Sequence, residues 1–167
     1  MKNINNIDEK NILVTGGAGY IGSHTVRFLF ERGYGITVID NLSLGNKEAI
    51  NTLSEIATEN NANFKFYETD IAESEKVIHI LKENNISAVV HFAAFSQVAE
   101  SVIDPLKYYI NNTGKTAILI KSMIEAGVKK IVFSSTAATY GSPDTEIITE
   151  NTPQNPINPY GFSKLMI

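Results

Sequence analysis

The sequence contains no cysteine. That excludes disulfides, thiolate zinc sites, iron–sulfur clusters and a cysteine nucleophile. Positive charge is also short: 14 Lys and Arg stand against 18 Asp and Glu, a formal net charge of −4. Nothing therefore marks the chain for nucleic acid or an anionic membrane surface. No apolar run approaches the roughly 18 residues of a membrane span. The polar, Asn-rich opening from Met1 to Lys10 lacks the apolar core of a secretory signal. A soluble cytoplasmic protein is expected. Proline is sparse, and four of the five residues lie between Pro143 and Pro159, which marks one irregular surface loop. What remains is ordinary globular material, 43% hydrophobic and 19% charged over 167 residues. This composition excludes disorder and suits a domain with its own core.

Glycine, by contrast, is concentrated. Gly16, Gly17, Gly19 and Gly22 follow the apolar run Ile12-Leu13-Val14 and precede an amphipathic stretch ending at Gly33. The order is strand, tight turn, helix. A second strand, Ile36 to Ile39, ends in Asp40 and completes a βαβ unit, the context that a dinucleotide fingerprint requires. Glycine in the turn lets backbone N–H groups approach a pyrophosphate. The helix beginning near Tyr20 aims its positive dipole end at the same place. Gly16, Gly19, Tyr20, Ile21 and Gly22 are thus the expected phosphate cradle, with Gly22 also admitting close helix–sheet packing. Asp40 lies 18 positions after Gly22. An acid there accepts from the adenosine ribose hydroxyls and repels a 2′-phosphate, favouring NAD over NADP.

The rest of the chain repeats the alternation. Helices are expected at about 47–60, 73–84 and 106–126, the last closed by Gly127, and strands at 63–67, 88–92 and 130–135. Apolar strands alternating with helices predict an α/β fold, a Rossmann-type doubly wound parallel sheet with helices on both faces. Ligands of such sheets collect outside the carboxyl ends of the strands. Asn41 stands beside Asp40 at one of these ends. Asp70 is placed to accept from the adenine amino group and Ile71 to pack on the ring. Phe92, Ala93 and Ala94 leave room for the cofactor, and Ser134 and Thr136 close the last strand.

Tyr160 and Lys164 are spaced i, i+4, so a helix carries both on one face. An ammonium near a phenol lowers its pKa from about 10 and makes the phenolate available as a general base.

At this point a resemblance carries further. The segments Thr15 to His24, Asp40-Asn41-Leu42-Ser43, His91-Phe92-Ala93-Ala94, Tyr108 to Asn112 and Pro159 to Lys164 resemble the extended short-chain dehydrogenase/reductase family, and within it the UDP-glucose 4-epimerases. The motifs span nearly the whole chain in family order. The resemblance implies that Tyr160 is the catalytic base, while Lys164 tunes it and holds the nicotinamide ribose. It implies that Thr136 hydrogen-bonds the sugar 4-hydroxyl, and that Asn112 binds near the nicotinamide or the helix backbone. It further implies bound NAD, a 4-keto intermediate, UDP-glucose and UDP-galactose as substrates, and a homodimer for the full-length form. The related 4,6-dehydratases carry an acidic pair after the strand-end Thr. Here Ala137 and Ala138 follow Thr136, which argues against dehydration. Ser96 stands where these epimerases often have a Lys that donates to a cofactor phosphate.

The family is considerably longer than this chain, with a C-terminal substrate lobe not contained in it. Residues 1–167 are accordingly expected to be one NAD-binding Rossmann domain that ends within the catalytic helix. An NAD-binding unit without catalysis, or another nucleotide-sugar epimerase of the family, is the alternative. His24, His79 and His91 are scattered and lack metal-site spacing, so they read as structural and no metal is expected. Glu100 and Asp104 read as cap and dipole partners. Ser134 and Ser135 lack the turn of a hydrolase nucleophile.

Overall fold

A computed structural model describes residues 11–167; the polar opening Met1 to Lys10 lies outside the described residues. Five parallel strands form one sheet: β1 (Asn11–Thr15), β2 (Gly35–Asp40), β3 (Phe64–Glu68), β4 (Ile86–His91) and β5 (Ile131–Phe133). Their order across the sheet is β3-β2-β1-β4-β5. The chain thus winds outward from β1 in one direction and then crosses over to continue in the other. That reversal opens a crevice between the carboxyl ends of β1 and β4.

Alternation along the strands divides the core. Leu13, Ile39 and Val89 point to one face, where α3 (Ser74–Glu83) and α6 (Lys115–Ala126) cover them with Val77, Ile80, Leu81, Leu119 and Met123. Val14, Ile36 and Val38 point to the other, under Val26 and Phe30 of α1 (Tyr20–Phe30) and Ile50, Leu53 and Ala57 of α2 (Lys47–Glu59). The central strands β1, β2 and β4 pack apolar side chains on both faces, which explains their apolar runs in the sequence, while the edge strands β3 and β5 are more exposed. Gly127 takes φ 80° and ends α6 as a left-handed cap.

The helix expected at 106–126 is instead divided. Short α4 (Val98–Ile103) precedes α5 (Pro105–Tyr108), a π turn (Tyr109–Gly114) and then α6. Two local causes account for this. Pro105 begins α5, and the Asp104 carboxylate caps it by accepting from Lys107 N. The π turn forms where Asn112 and Thr113 are bound sideways to other segments: Asn112 to the loop at Phe95, and both residues to Ser163. Wide turns of this kind concentrate at functional sites. The final strand is also shorter than expected, 131–133 rather than 130–135, although Lys130 O and Ser134 N still bond to β4 at its two ends. A 3-10 turn (Ala137–Thr139) and α7 (Pro159–Met166) complete the fold. Among the described residues no helix is long and apolar enough to cross a membrane.

Candidate active site

The glycine-rich turn is shaped by backbone contact. A Cβ on Gly22 would lie 2.1 Å from the Gly16 carbonyl oxygen, and one on Gly16, which has φ 72°, would meet Ala93 N at 2.7 Å. Both positions therefore require glycine for the fold itself. Gly19 differs: a Cβ there has only the Gly16 oxygen nearby, at 3.3 Å. Its missing side chain leaves open space at the start of α1. Gly19 is the N-cap but offers no side-chain oxygen, and the first turn carries no acid. Tyr20 and Ile21 are exposed there. The positive end of α1 thus has no acid in its first turn, and no side chain among the described residues caps its first N–H groups. This cradle fits a diphosphate.

The carboxyl ends of β1, β2, β3 and β4 line one groove. Of the residues expected at the cofactor, Gly16, Gly19, Asp40, Asn41, Asp70, Ile71, Phe92, Ala93 and Ala94 line it. Asp40 is buried, and its two oxygens accept from Ala18 N at 3.0 Å and Leu42 N at 2.9 Å. The carboxylate thereby ties the phosphate turn to the loop after β2. Asp70 Oδ2 accepts from Asn41 Nδ2 and from Lys115 Nζ, while Oδ1 accepts from Ala72 N. Burial pushes this carboxyl up, but the bonds from Lys115, Ala72 and Asn41 outweigh it and hold the pKa below the ordinary value.

The expected catalytic pair stands on α7, and Tyr160, Lys164, Ser134 and Thr136 are not among the residues that line the groove. Asn158 caps the helix by accepting from Gly161 N, and Pro159 occupies its first turn. A Cβ on Gly161 would lie 2.5 Å from the Ala138 carbonyl oxygen, so glycine allows α7 to sit directly on the 3-10 turn. Tyr160 N donates to the buried Ser101 Oγ, and the Tyr160 ring meets the buried Tyr108 ring edge-on. Tyr108 is itself fixed by donating to Glu100 Oε2 and accepting from Gln97 N. Burial, reinforced by Glu100, raises the Tyr108 phenol to about 12, so it stays protonated. Glu100 thus lies in the first turn of α4 and also anchors the wall beside Tyr160.

Lys164 is buried; its Nζ donates to the Ser134 carbonyl oxygen and lies 4.6 Å above the Phe133 ring centroid. Desolvation lowers its pKa to about 8. Thr136 Oγ1 accepts from Ala138 N, which leaves its O–H to donate elsewhere. Ser134 contributes its carbonyl to Lys164.

Asn112 bonds to the loop after β4 and to a side chain of α7. It is fully buried, its carboxamide accepting from Phe95 N and donating to Phe95 O and Ser163 Oγ. The preceding Asn111 lines the groove instead.

His91 is buried between two hydroxyls. Its Nε2 faces Thr116 Oγ1 at 2.8 Å and its Nδ1 faces Thr15 Oγ1 at 2.6 Å. Thr116 spends its proton on the Asn112 carbonyl, so it accepts from His91 Nε2–H, and Thr15 donates to Nδ1. The ring is neutral in this arrangement. Burial first, and the Lys164 charge second, lower the His91 pKa to about 4. His24 packs against Tyr20 and His79 lies beside Glu83 on the surface. Among the described residues no group of three His, Asp or Glu could hold a metal.

A family model described as GDP-mannose 4,6 dehydratase matches residues 13–167. The chain belongs to this extended short-chain dehydrogenase/reductase family. The UDP-glucose 4-epimerase of Bacillus subtilis (strain 168) is 53% identical over 156 residues, covering 93% of this chain and 45% of the relative. UDP-arabinose 4-epimerase 1 of Arabidopsis thaliana is 48% identical, covering 93% of this chain and 37% of its own. Among solved structures, the UDP-glucose 4-epimerase from Bifidobacterium longum in complex with NAD+ and UDP superposes with a TM-score of 0.87 at 40% identity, covering 93% and 46%. The chain thus spans less than half the length of the relatives it matches.

Sequence reasoning missed Lys115, Ser101 and Ser163. The first pairs with a residue 45 positions away and the second serves one 59 away, so local spacing carries no trace of either. Ser163 was legible in principle, being inside the Tyr160–Lys164 motif.

Proposed function

We propose that this chain forms the NAD-binding and proton-transferring part of a UDP-sugar 4-epimerase that interconverts UDP-glucose and UDP-galactose. The observation that carries the reading is the seating of α7 on the Thr136 turn through Gly161. It puts the helix bearing Tyr160 and Lys164 against a strand end whose hydroxyl is followed by Ala137 and Ala138 and by no carboxylate. A dehydratase needs an acid there to expel a hydroxyl as water; an epimerase does not.

The uncapped start of α1 and the open space at Gly19 would hold the diphosphate of NAD, with the ribose at Asp40 and the adenine near Asp70 and Ile71. NAD, when bound, supplies a reversible hydride acceptor. The chain's own residues manage the proton. Tyr160 takes it from the sugar 4-hydroxyl and later returns it, which is general base and then general acid catalysis. The Thr136 O–H donates to the same sugar oxygen. Lys164, fixed on Ser134, keeps a positive charge near the phenolate below its pKa of about 8 and holds the nicotinamide ribose. Asn112 and Ser163 keep α7 in register with the groove. The full-length form is read as a homodimer.

The test is incubation of the protein with NAD and UDP-galactose, followed by chromatographic separation of UDP-sugars. Conversion to UDP-glucose is expected. Protein that binds no NAD and converts nothing would overturn the reading. A second reading, an NAD-binding unit without the sugar step, is favoured by the lining of the groove, which includes none of Tyr160, Lys164 and Thr136. It predicts NAD binding with no UDP-glucose formed. Because one relative is named for UDP-arabinose, that sugar belongs in the same assay; conversion of UDP-arabinose alone would reassign the substrate.

A further inference from the structure

Lys115 is the one cation among the described residues that line the groove, where Asp40 and Asp70 are both present. It begins α6 and reaches across to Asp70 Oδ2 at the carboxyl end of β3, with both side chains about three-quarters buried, 27% and 24% exposed. Asp70 is already served by Asn41 Nδ2 on the same oxygen and by Ala72 N on the other. Asp40 is occupied by two backbone N–H groups. The groove so read must take a ligand with a doubly charged diphosphate and an adenine amino group. The first needs a cation and the second needs a free carboxylate lone pair. As the groove stands, Lys115 and Asn41 fill Asp70 Oδ2, and Ala72 N takes one lone pair of Oδ1.

We propose that Lys115 is shared between two anions: it pairs with Asp70 in the free protein and turns to the dinucleotide diphosphate on binding. The turn releases Asp70 Oδ2 to accept from the adenine amino group. Lysine suits the role because its ammonium is a point charge on a flexible stem. The inference rests on the NAD reading above and adds a specificity residue to it.

The experiment compares wild type, Lys115→Met and Lys115→Arg in titrations with NAD and with adenosine, which has no phosphate, at two salt concentrations. Loss of the cation is expected to weaken NAD roughly tenfold or more, the scale of one charge-assisted contact. Adenosine affinity should hold or rise, because Asp70 is freed. The salt dependence of NAD affinity should be shallower in Lys115→Met, and Lys115→Arg should retain most of the NAD affinity. Equal loss for NAD and adenosine would overturn the proposal, since Lys115 would then only hold Asp70 in place. No loss for either overturns it as well. Should Lys115→Met not fold, Lys115→Gln takes its place with the same criteria. Wild type that binds neither ligand instead removes the NAD reading itself.

Discussion

Lys164 Nζ donates to the carbonyl oxygen of Ser134 at 2.8 Å, joining α7 to the carboxyl end of β5. The bond fixes a buried ammonium whose pKa desolvation has lowered to about 8. On the proposed mechanism, Tyr160→Phe removes the proton carrier and should cut epimerisation by about 10²–10⁴. Lys164→Met keeps the apolar stem and removes the charge, so a comparable loss is expected with the fold retained. Because the charge disappears as pH rises through about 8, the portion of the rate that depends on it should fall across that range in wild type. Steady-state rates with UDP-galactose from pH 6.5 to 9.5 check this. Full activity in Tyr160→Phe sinks the proton-transfer assignment.

Asp40 carries a second prediction. Its carboxylate accepts from Ala18 N and Leu42 N at once, and an Asn in its place would turn an N–H group toward one of them. Asp40→Asn should therefore lose roughly 1–3 kcal/mol of stability, the cost of an unmet buried donor. It should also lose preference for NAD over NADP, since the negative charge that repels a 2′-phosphate is gone. Melting curves and parallel titrations with the two dinucleotides measure both. Wild type binding NAD and NADP equally tightly removes the discriminating role.

The sheet was legible in the sequence because β1, β2 and β4 are short apolar runs, as parallel strands buried on both faces must be, and the edge strand β3 is a short aromatic run. The groove followed, since its residues stand at the carboxyl ends of these strands. The division of the helix at 106–126 was partly legible: Asp104-Pro105 is a helix start. The π turn was not, because it arises from side chains of Asn112 and Thr113 bound to Phe95 and Ser163, contacts 17 to 51 positions apart. The same holds for Lys115 on Asp70 and Ser101 under Tyr160. These positions carry ordinary polar residues whose meaning is set by what the topology brings to them.

The glycines separate two costs. A Cβ at Gly22 would lie 2.1 Å from Gly16 O and 2.9 Å from Gly17 Cα, backbone that cannot yield without moving the phosphate turn. Gly22→Ala should destabilise by about 3 kcal/mol or more and weaken NAD binding. At Gly127 the φ is 80° but nothing lies within 4 Å of the added Cβ. Gly127→Ala should cost only the left-handed backbone strain, about 1–2 kcal/mol, and leave NAD affinity unchanged. Denaturant midpoints together with NAD titration distinguish the two; equal effects at both positions contradict the packing argument.

His91 makes stability depend on pH in a defined window. Its folded-state pKa is lowered to about 4 from an ordinary 6.5, and the ring is 1% exposed between Thr15 and Thr116. Between those two values the unfolded chain binds a proton that the native state refuses. Stability from this group is thus fully present above 6.5 and is lost as pH falls toward 4. The loss amounts to about 3 kcal/mol at most, from the 1.4 kcal/mol per unit conversion. Protonating Nδ1 would also set a donor against the Thr15 hydroxyl proton and break the chain from Ala93 N through Thr15. Carboxylates also titrate toward the acid end of this range, so the informative quantity is the difference between wild type and His91→Gln. Unfolding free energies measured by denaturant at pH 7 and pH 4.5 should converge, the variant being weaker at pH 7 and losing less on acidification. Parallel slopes for the two proteins would mean that His91 takes up its proton in the native state as readily as in the unfolded chain.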